Sequence, residues 1–502
     1  MDLLLILGLT AAALWLAWIG HLGSDDKVHL QGAIGWLTAF PYAGQNHGEM
    51  RHLITLPAAL SLRILGLGEF AAVLPNLLYY GALVGLSFVF IRRRWGRATA
   101  YMFCAIVLSM PIFSLQATMV FSDTTELFFA ALSFGFFLRA RERPEGSEGP
   151  NTRLHLALSG ACAALALLTR ETTLALLMAY AVFFVFERQI SRRHYLWLAA
   201  GLLAVLLLEA LLMWAVAGNP LHRYALTLAE VHSLAVPAVD NSKGLIDRIG
   251  NVRVNYLVDP FLVPLINHEF GIFWWLAVPV MWLGWRRASL FSKDERRVLL
   301  QLVVVSVLWF AVAMTLIKEY RHPRYIAGAT YAMALVMALV LARLAQKTPS
   351  RLPQFAAATV VAVGVLCIYI DNRAPLFGER ALLSQLQTLD EVVYTDKETA
   401  GRLKLLLYFK GWQGKVVAAE PAPGALYFVN PNRQTLAPGW KIGSCAALLH
   451  LTTPPITAHG KLLDSLGLSG FIPVDIYRRL AHPNREVSLL RLSSDTAHCP
   501  VR

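Results

Sequence analysis

From Asp2 to Asp371 the chain runs apolar for about twenty residues, breaks for a short polar stretch, and runs apolar again. A helical crossing of a bilayer needs about 20 apolar residues, and no water-soluble core hides so many such runs. The stretches fall at 3–20, 70–91, 98–115, 119–138, 154–169, 172–186, 195–217, 270–285, 298–316, 325–342 and 355–371. The expected fold is therefore a polytopic α-helical membrane protein of about eleven spans. Composition agrees: the sequence is 56% hydrophobic and 15% charged, where soluble domains carry about 25% charge. The first run has only Asp2 before it and no Lys or Arg, so it reads as a retained helix rather than a signal peptide.

The net charge is +13. It does not indicate a nucleic-acid partner, because the basic residues cluster in short loops between spans. The loops 92–97, 139–153, 187–194, 286–297 and 343–351 are dense in Arg and Lys and alternate with less basic ones. The positive-inside rule makes those five cytoplasmic. The N-terminus is then cytoplasmic, and residues 21–69, the 218–269 loop and the tail from about 372 lie outside, in a periplasm or a lumen.

The tail changes character. "EVVYTD", "KVVAAE" and "GALYFVN" read as strands, with "KETAGRLKLLLYFK" as a helix between the first two. The expected division is a transmembrane domain over 1–371 and an external α/β domain over 372–502. Cys104, Cys162 and Cys367 lie in spans as packing residues. Cys445 and Cys499 lie in the external domain, where the compartment permits a disulfide; two free thiols are the alternative.

The first external loop is too apolar to be loose. Residues 28–40 and 53–66 read as helices lying in the membrane interface. Around and between them the sequence gathers Asp25, Asp26, His47, Glu49, Arg51 and His52. Interfacial polarity accounts for any one of these; the whole set calls for a site.

"SDDKVHLQGAIGWL" followed by "GQNHGEMRHLITLPAALSLRILG" resembles the first external loop of the GT-C glycosyltransferases, nearest the protein O-mannosyltransferase and aminoarabinose (lipid A) transferase group. "MVFSDTTELFFAALSFGFFLRARE", "GACAALALLTRETTLALLM" and "EYRHPRYIAGATYAMAL" are similar to later spans of that family, in the same order. An external α/β tail also occurs in the aminoarabinose branch. The chain departs from that branch where a Lys-Pro-Pro stretch is usual: Met50 stands at the lysine position, with Arg51 beside it. The span count is also lower, so the acceptor is not carried over.

The resemblance implies a donor in which a sugar is carried on a polyprenyl monophosphate. A base takes the acceptor's proton, a cation holds the leaving phosphate, and an apolar groove holds the lipid. It implies Asp25 as that base, with Asp26 orienting it or meeting the donor; paired carboxylates at a partly desolvated surface tune each other. Arg51, Arg170, Arg321 and Arg324, with Tyr325, are the phosphate and donor candidates, since the guanidinium fork suits phosphate oxygens. His47, Glu49, His52, Asp123, Glu126 and Glu171 are candidates for sugar or acceptor binding. Arg170 with Glu171 also reads as a structural ion pair, and Glu209 has no assigned place. No metal is required, because arginines neutralise a monophosphate; a divalent metal on His47, Glu49 and His52 is the alternative, without a known zinc spacing.

The expected function is an inverting transfer on the periplasmic face of the cell inner membrane. The acceptor is a lipid A, a polysaccharide or a protein, and neither sugar nor acceptor is named by the sequence. The partners are the lipid-linked donor, the acceptor and membrane lipids. The rival reading is a transporter or flippase; it calls for inverted repeats and midplane charges, and the sequence shows no repeat.

Overall fold

The computed structural model describes residues 1–141, 150–187, 189–234, 259–314, 323–347, 349–371, 376–419, 421–433 and 446–493. Cys445, Cys499 and Arg321 lie outside these residues, so neither the disulfide nor the Arg321 assignment is visible in it.

Each of the eleven apolar stretches contributes helix among the described residues. They form α1 (Asp2–Leu16), α4 (Glu69–Trp95), α5 (Arg97–Ser109) with α6 (Pro111–Ala117), α7 (Ser122–Arg141), α8 (Pro150–Thr169), α9 (Leu174–Phe186), α10 (Tyr195–Ala217), α13 (Phe273–Arg286), α14 (Lys293–Val312), α15 (Ala327–Lys347) and α16 (Leu352–Asp371). Between α10 and α13 lie α11 (His222–Leu234) and α12 (Asp259–Ile266). Among the described residues five helices are long and apolar enough to cross a membrane, or six if the bent α5–α6 pair is one span. The others are shorter or more polar. The expected continuous span 98–115 breaks at Pro111, with a bend of 68°. Proline disfavours the helical conformation in the residue before it, and Met110 is extended, with ψ at 123°.

The helices share one large core. α15 lies at its centre, buried from Ala327 through Leu344 except at a few positions. α8 and α10 cross at glycines: a Cβ on Gly160 would overlap the backbone of Leu198, and one on Gly201 would overlap that of Ala157. Small residues at such crossings let helices approach to van der Waals contact. At one end of the bundle Asp2 pairs with Arg92 at 3.1 Å and Arg97 at 2.8 Å. Asp294 there meets Arg94 at 2.8 Å and Arg141 at 3.1 Å. The start of α1 thus lies with the basic loops.

At the opposite end are α2 (Asp25–Thr38) and α3 (His52–Leu65), the two helices expected in the first loop. They bury Leu30, Ala33, Ile54, Ala58 and Leu62 in a second apolar cluster. The C-terminal region begins with α17 (Phe377–Gln385) and carries β1 (Val393–Tyr394), β2 (Val416–Val417) and β3 (Leu426–Val429) where strands were expected, with α18 (Lys397–Lys410) between the first two. Asp396 caps α18, accepting from the backbone N–H groups of Glu398 and Thr399, and Gly411 ends it at φ +70°. Two further strands complete a five-stranded sheet of order β2-β1-β3-β5-β4: β4 (Ala446–Thr452) and β5 (Val487–Leu492). β1 runs parallel to β2 and β3; β5 runs antiparallel to β3 and β4. Helices α19 (Ala458–Ser465) and α20 (Val474–Ala481) connect β4 to β5. Leu405 of α18 inserts into the cluster formed by α2 and α3.

Candidate active site

The two adjacent carboxylates have opposite surroundings. After α1 the chain turns through Gly20 and Gly23, both left-handed at φ +77° and +71°, a conformation that costs glycine nothing. The turn wraps backbone donors around Asp26. The N–H groups of Leu22, Gly23 and Ser24 donate to its carboxylate at 2.7, 3.2 and 2.7 Å, and His21 Nδ1 lies 2.6 Å away. Asp26 is fully buried. Burial alone would raise its pKa, but His21 and these donors overcome that and hold it below the ordinary carboxylate value. With its oxygens so engaged, Asp26 organises the turn.

Asp25 stands in the first turn of the same helix, with its side chain half-exposed. Its Oδ2 lies 2.7 Å from Arg324 Nη2. Partial burial pushes its pKa up; Arg324, His29 and Arg51 together outweigh that and leave it lowered. It is therefore an ionised carboxylate open to an incoming group.

Three of the four arginines expected to meet a phosphate gather beside it. Arg51 donates to Ser122 Oγ at 2.8 Å and stands 3.5 Å from Glu171. His47 reaches the same Glu171 at 2.8 Å. Arg170 pairs with Asp123, and its guanidinium sits 3.9 Å from the centre of the Tyr325 ring. Arg324 lies over the rings of Phe121 and Tyr325 at 5.4 and 5.5 Å. Asp25, His47, Arg51, Asp123, Arg170, Glu171, Arg324 and Tyr325 thus form one connected group from α2, the loop before α3, α7, the α8–α9 turn and the start of α15.

Three expected residues take other positions. Glu49 is buried and accepts from Tyr42 Oη, the N–H of Gln45 and the Asn46 amide at 2.6, 2.9 and 2.6 Å. It orders its own loop, and the tyrosine bonded to it is pushed up to about 12, by burial and then by this carboxylate. Glu126, one turn below Asp123, accepts from the hydroxyls of Thr172 and Thr173 inside the bundle. His52 turns away from Arg51 toward Trp36, ring to ring at 5.5 Å. Among the described residues no group of three or more His, Cys, Asp or Glu side chains is disposed to hold a metal ion.

Sequence reasoning passed over His21, His29, Ser122 and Arg223. His29 had a signal: it lies four residues after Asp25, on the same face of α2. Its Nδ1–H donates to the carbonyl of Gly48 at 2.9 Å, and burial followed by the nearby Arg51 pushes its pKa down to about 4. It is neutral at pH 7 and ties α2 to the polar loop.

An apolar cavity of about 320 Å³ lies along α7, lined from Leu127 to Arg139; none of this group's side chains lines it. Leu127 and Phe128 line it near Glu126, Trp309 and Tyr331 line its flank, and Arg139 closes its far end. From Leu127 to Arg139 along α7 is about 18 Å at 1.5 Å per residue.

Residues 53–214 match the family model described as dolichyl-phosphate-mannose-protein mannosyltransferase. The fold is similar to that of ArnT from Cupriavidus metallidurans. The apo form aligns with a TM-score of 0.51 and 14% identity over 86% of this chain and 93% of that one. The form bound to undecaprenyl phosphate aligns with a TM-score of 0.53 and 15% identity over 97% of each. No curated protein sequence matches the chain.

Proposed function

We propose that this chain, a membrane glycosyltransferase of the GT-C group, moves a sugar from a polyprenyl-phosphate donor to a periplasmic acceptor with inversion at the anomeric carbon. Asp25 accepts the proton of the acceptor's hydroxyl or amine. The freed electron pair attacks the anomeric carbon as its bond to the phosphate oxygen breaks. The phosphate leaves with that bond's electrons, and Arg51, Arg170 and Arg324 hold its growing charge. The apolar cavity along α7 is suited in composition and length to an isoprenoid chain.

The observation that carries this reading is the Asp25–Arg324 contact at 2.7 Å. It joins an ionised acid to a guanidinium at hydrogen-bond distance, at the end of the bundle opposite the basic loops, and the guanidinium fork suits phosphate oxygens. A donor phosphate competes with Asp25 for Arg324, and binding it frees the carboxylate for the incoming proton. Residues 1–371 form the catalytic membrane domain on this reading. Residues 372–502 form the periplasmic α/β domain, and the basic-loop end of the bundle faces the cytoplasm of the inner-membrane cell.

The test is transfer by purified protein in nanodiscs from a panel of undecaprenyl-phosphate sugars to lipid A, a polysaccharide or a peptide. The expected products are free undecaprenyl phosphate and an inverted glycosidic bond. Full transfer by Asp25→Asn, or a retained configuration, overturns the reading.

A further inference from the structure

A second charged cluster lies beside the group around Asp25. Arg223 is in the first turn of α11, yet its side chain turns inward and is only 4% exposed. It donates to the carbonyl of Leu168 at the end of α8. Its Nη1 stands 3.7 Å from Glu209 Oε1 on α10. His52 Nε2, from the start of α3, stands 3.9 Å from the same oxygen. Both separations exceed a hydrogen bond. Among the described residues, neither ring nitrogen of His52 nor Oε1 of Glu209 has a hydrogen-bond partner, and His52 is 7% exposed and Glu209 9%. Buried polar groups left unbonded are costly, the more so on helices facing hydrocarbon. His52 Nε2 and Glu209 Oε1 face each other unbonded beside Arg223, an arrangement suited to a bound polar group.

The charges narrow what that is. A cation meets Arg223; an anion meets Glu209. A neutral group that donates to the carboxylate and accepts from the guanidinium or the imidazole suits all three, and a hydroxyl is such a group. The cluster is continuous with the active site: His52 follows Arg51 in the chain, and Arg223 interacts electrostatically with Glu171 and Arg51.

We propose that His52, Glu209 and Arg223 form a subsite for a hydroxyl of the sugar carried by the lipid donor, an assignment that rests on the transferase reading. The subsite recognises the sugar, while the arginines near Asp25 recognise the phosphate. It gives Glu209 a role that its depth in α10 otherwise leaves unexplained.

The experiment titrates nanodisc-embedded wild type, His52→Ala, Glu209→Ala and Glu209→Gln with two kinds of probe and no acceptor present. One is undecaprenyl phosphate; the other is a set of undecaprenyl-phosphate hexoses and pentoses. The alanine variants are expected to weaken the best sugar-bearing lipid about tenfold, the scale of one buried hydrogen bond to a charged group. Undecaprenyl phosphate itself stays within about twofold. Glu209→Gln keeps the shape and an acceptor oxygen, so it falls between, and it is read in place of an alanine variant that does not melt cooperatively. Unchanged affinity for both lipids means a structural water site only and overturns the subsite. Equal loss for both lipids overturns it too. If wild type binds no sugar-bearing lipid, the transferase reading itself has failed.

Discussion

The carboxylate of Asp25 and the guanidinium of Arg324 are joined at 2.7 Å, although one begins α2 near the N-terminus and the other lies in the turn just before α15. A base and a cation held together make each less available alone. The pair therefore links the two halves of the proposed reaction, and it can be tested from either side.

Replacing the acid comes first. Asp25→Asn keeps the side chain's size and removes its basicity. It is expected to lower kcat by about 10²- to 10⁴-fold, the usual contribution of a positioned general base. Binding of undecaprenyl phosphate is expected to persist, measured in the same nanodiscs. A kcat within threefold of wild type would remove Asp25 from the chemistry.

The pH profile tests the cation. Arg324 helps to hold Asp25 below its ordinary value, so the free enzyme keeps its base ionised as pH falls from neutrality. Its kcat/KM is expected to decline only below the usual carboxylate range of about 3.9. In Arg324→Gln the raising effect of burial is less opposed, and the acid limb moves to higher pH. A limb that stays in place would separate Asp25's ionisation from Arg324.

Asp26 predicts a different failure. Asp26→Ala strips the partner from His21 and from three backbone donors. The expected cost is roughly 3–5 kcal/mol, as for breaking a buried pair, read as a lower melting point. The sign of the pH effect follows from its lowered pKa. The stabilisation is present above the unfolded carboxylate's value and is lost as pH falls through the folded one. In Asp26→Asn that acid-side loss is expected to disappear from the melting curves.

The contact between the C-terminal region and the turn before Asp25 gives a fourth test. Arg402 Nη1 donates to the carbonyl of Leu22 at 3.3 Å, Arg380 grips Glu69 at 2.7 Å, and Glu69 accepts from the N–H of His21 at 2.9 Å. Leu405→Ala removes a buried contact in the shared cluster and is expected to cost about 2–5 kcal/mol. Limited proteolysis in the segment 17–24 should quicken in that variant and transfer should fall, with the α4–α16 bundle still protected. Unaltered cleavage there would show that the turn stands without α18.

Helix placement was legible in the sequence because each apolar run declares itself. Tyr195–Ala217 coincides with the expected stretch, and the amphipathic pattern of Lys397–Lys410 marked a helix in full. What happens at Met110 was less plain, since Pro111 lies inside a run that is apolar on both sides. β4 and β5 were missed because "AALLHLT" and "VSLLRL" do not alternate cleanly and find their order by pairing, β5 with both β3 and β4. The gathering of Asp25, Arg51, Arg170 and Arg324 at one end followed from topology, which a linear reading of loops supplies. The unequal fates of Asp25 and Asp26 did not. They depend on which side of one helical turn the backbone of residues 21–24 folds, and on two left-handed glycines. Arg223 was hidden for a related reason: a charged residue after a span reads as a surface group until the helix beyond it turns the side chain back.

Leu405, seated among Leu30, Ala33 and Leu62, also sets a timetable. The piece that braces the turn bearing Asp25 emerges from the ribosome only after all the helices of the bundle have been made. Until that region is made, the apolar cluster under α2 and α3 lacks one of its buried members.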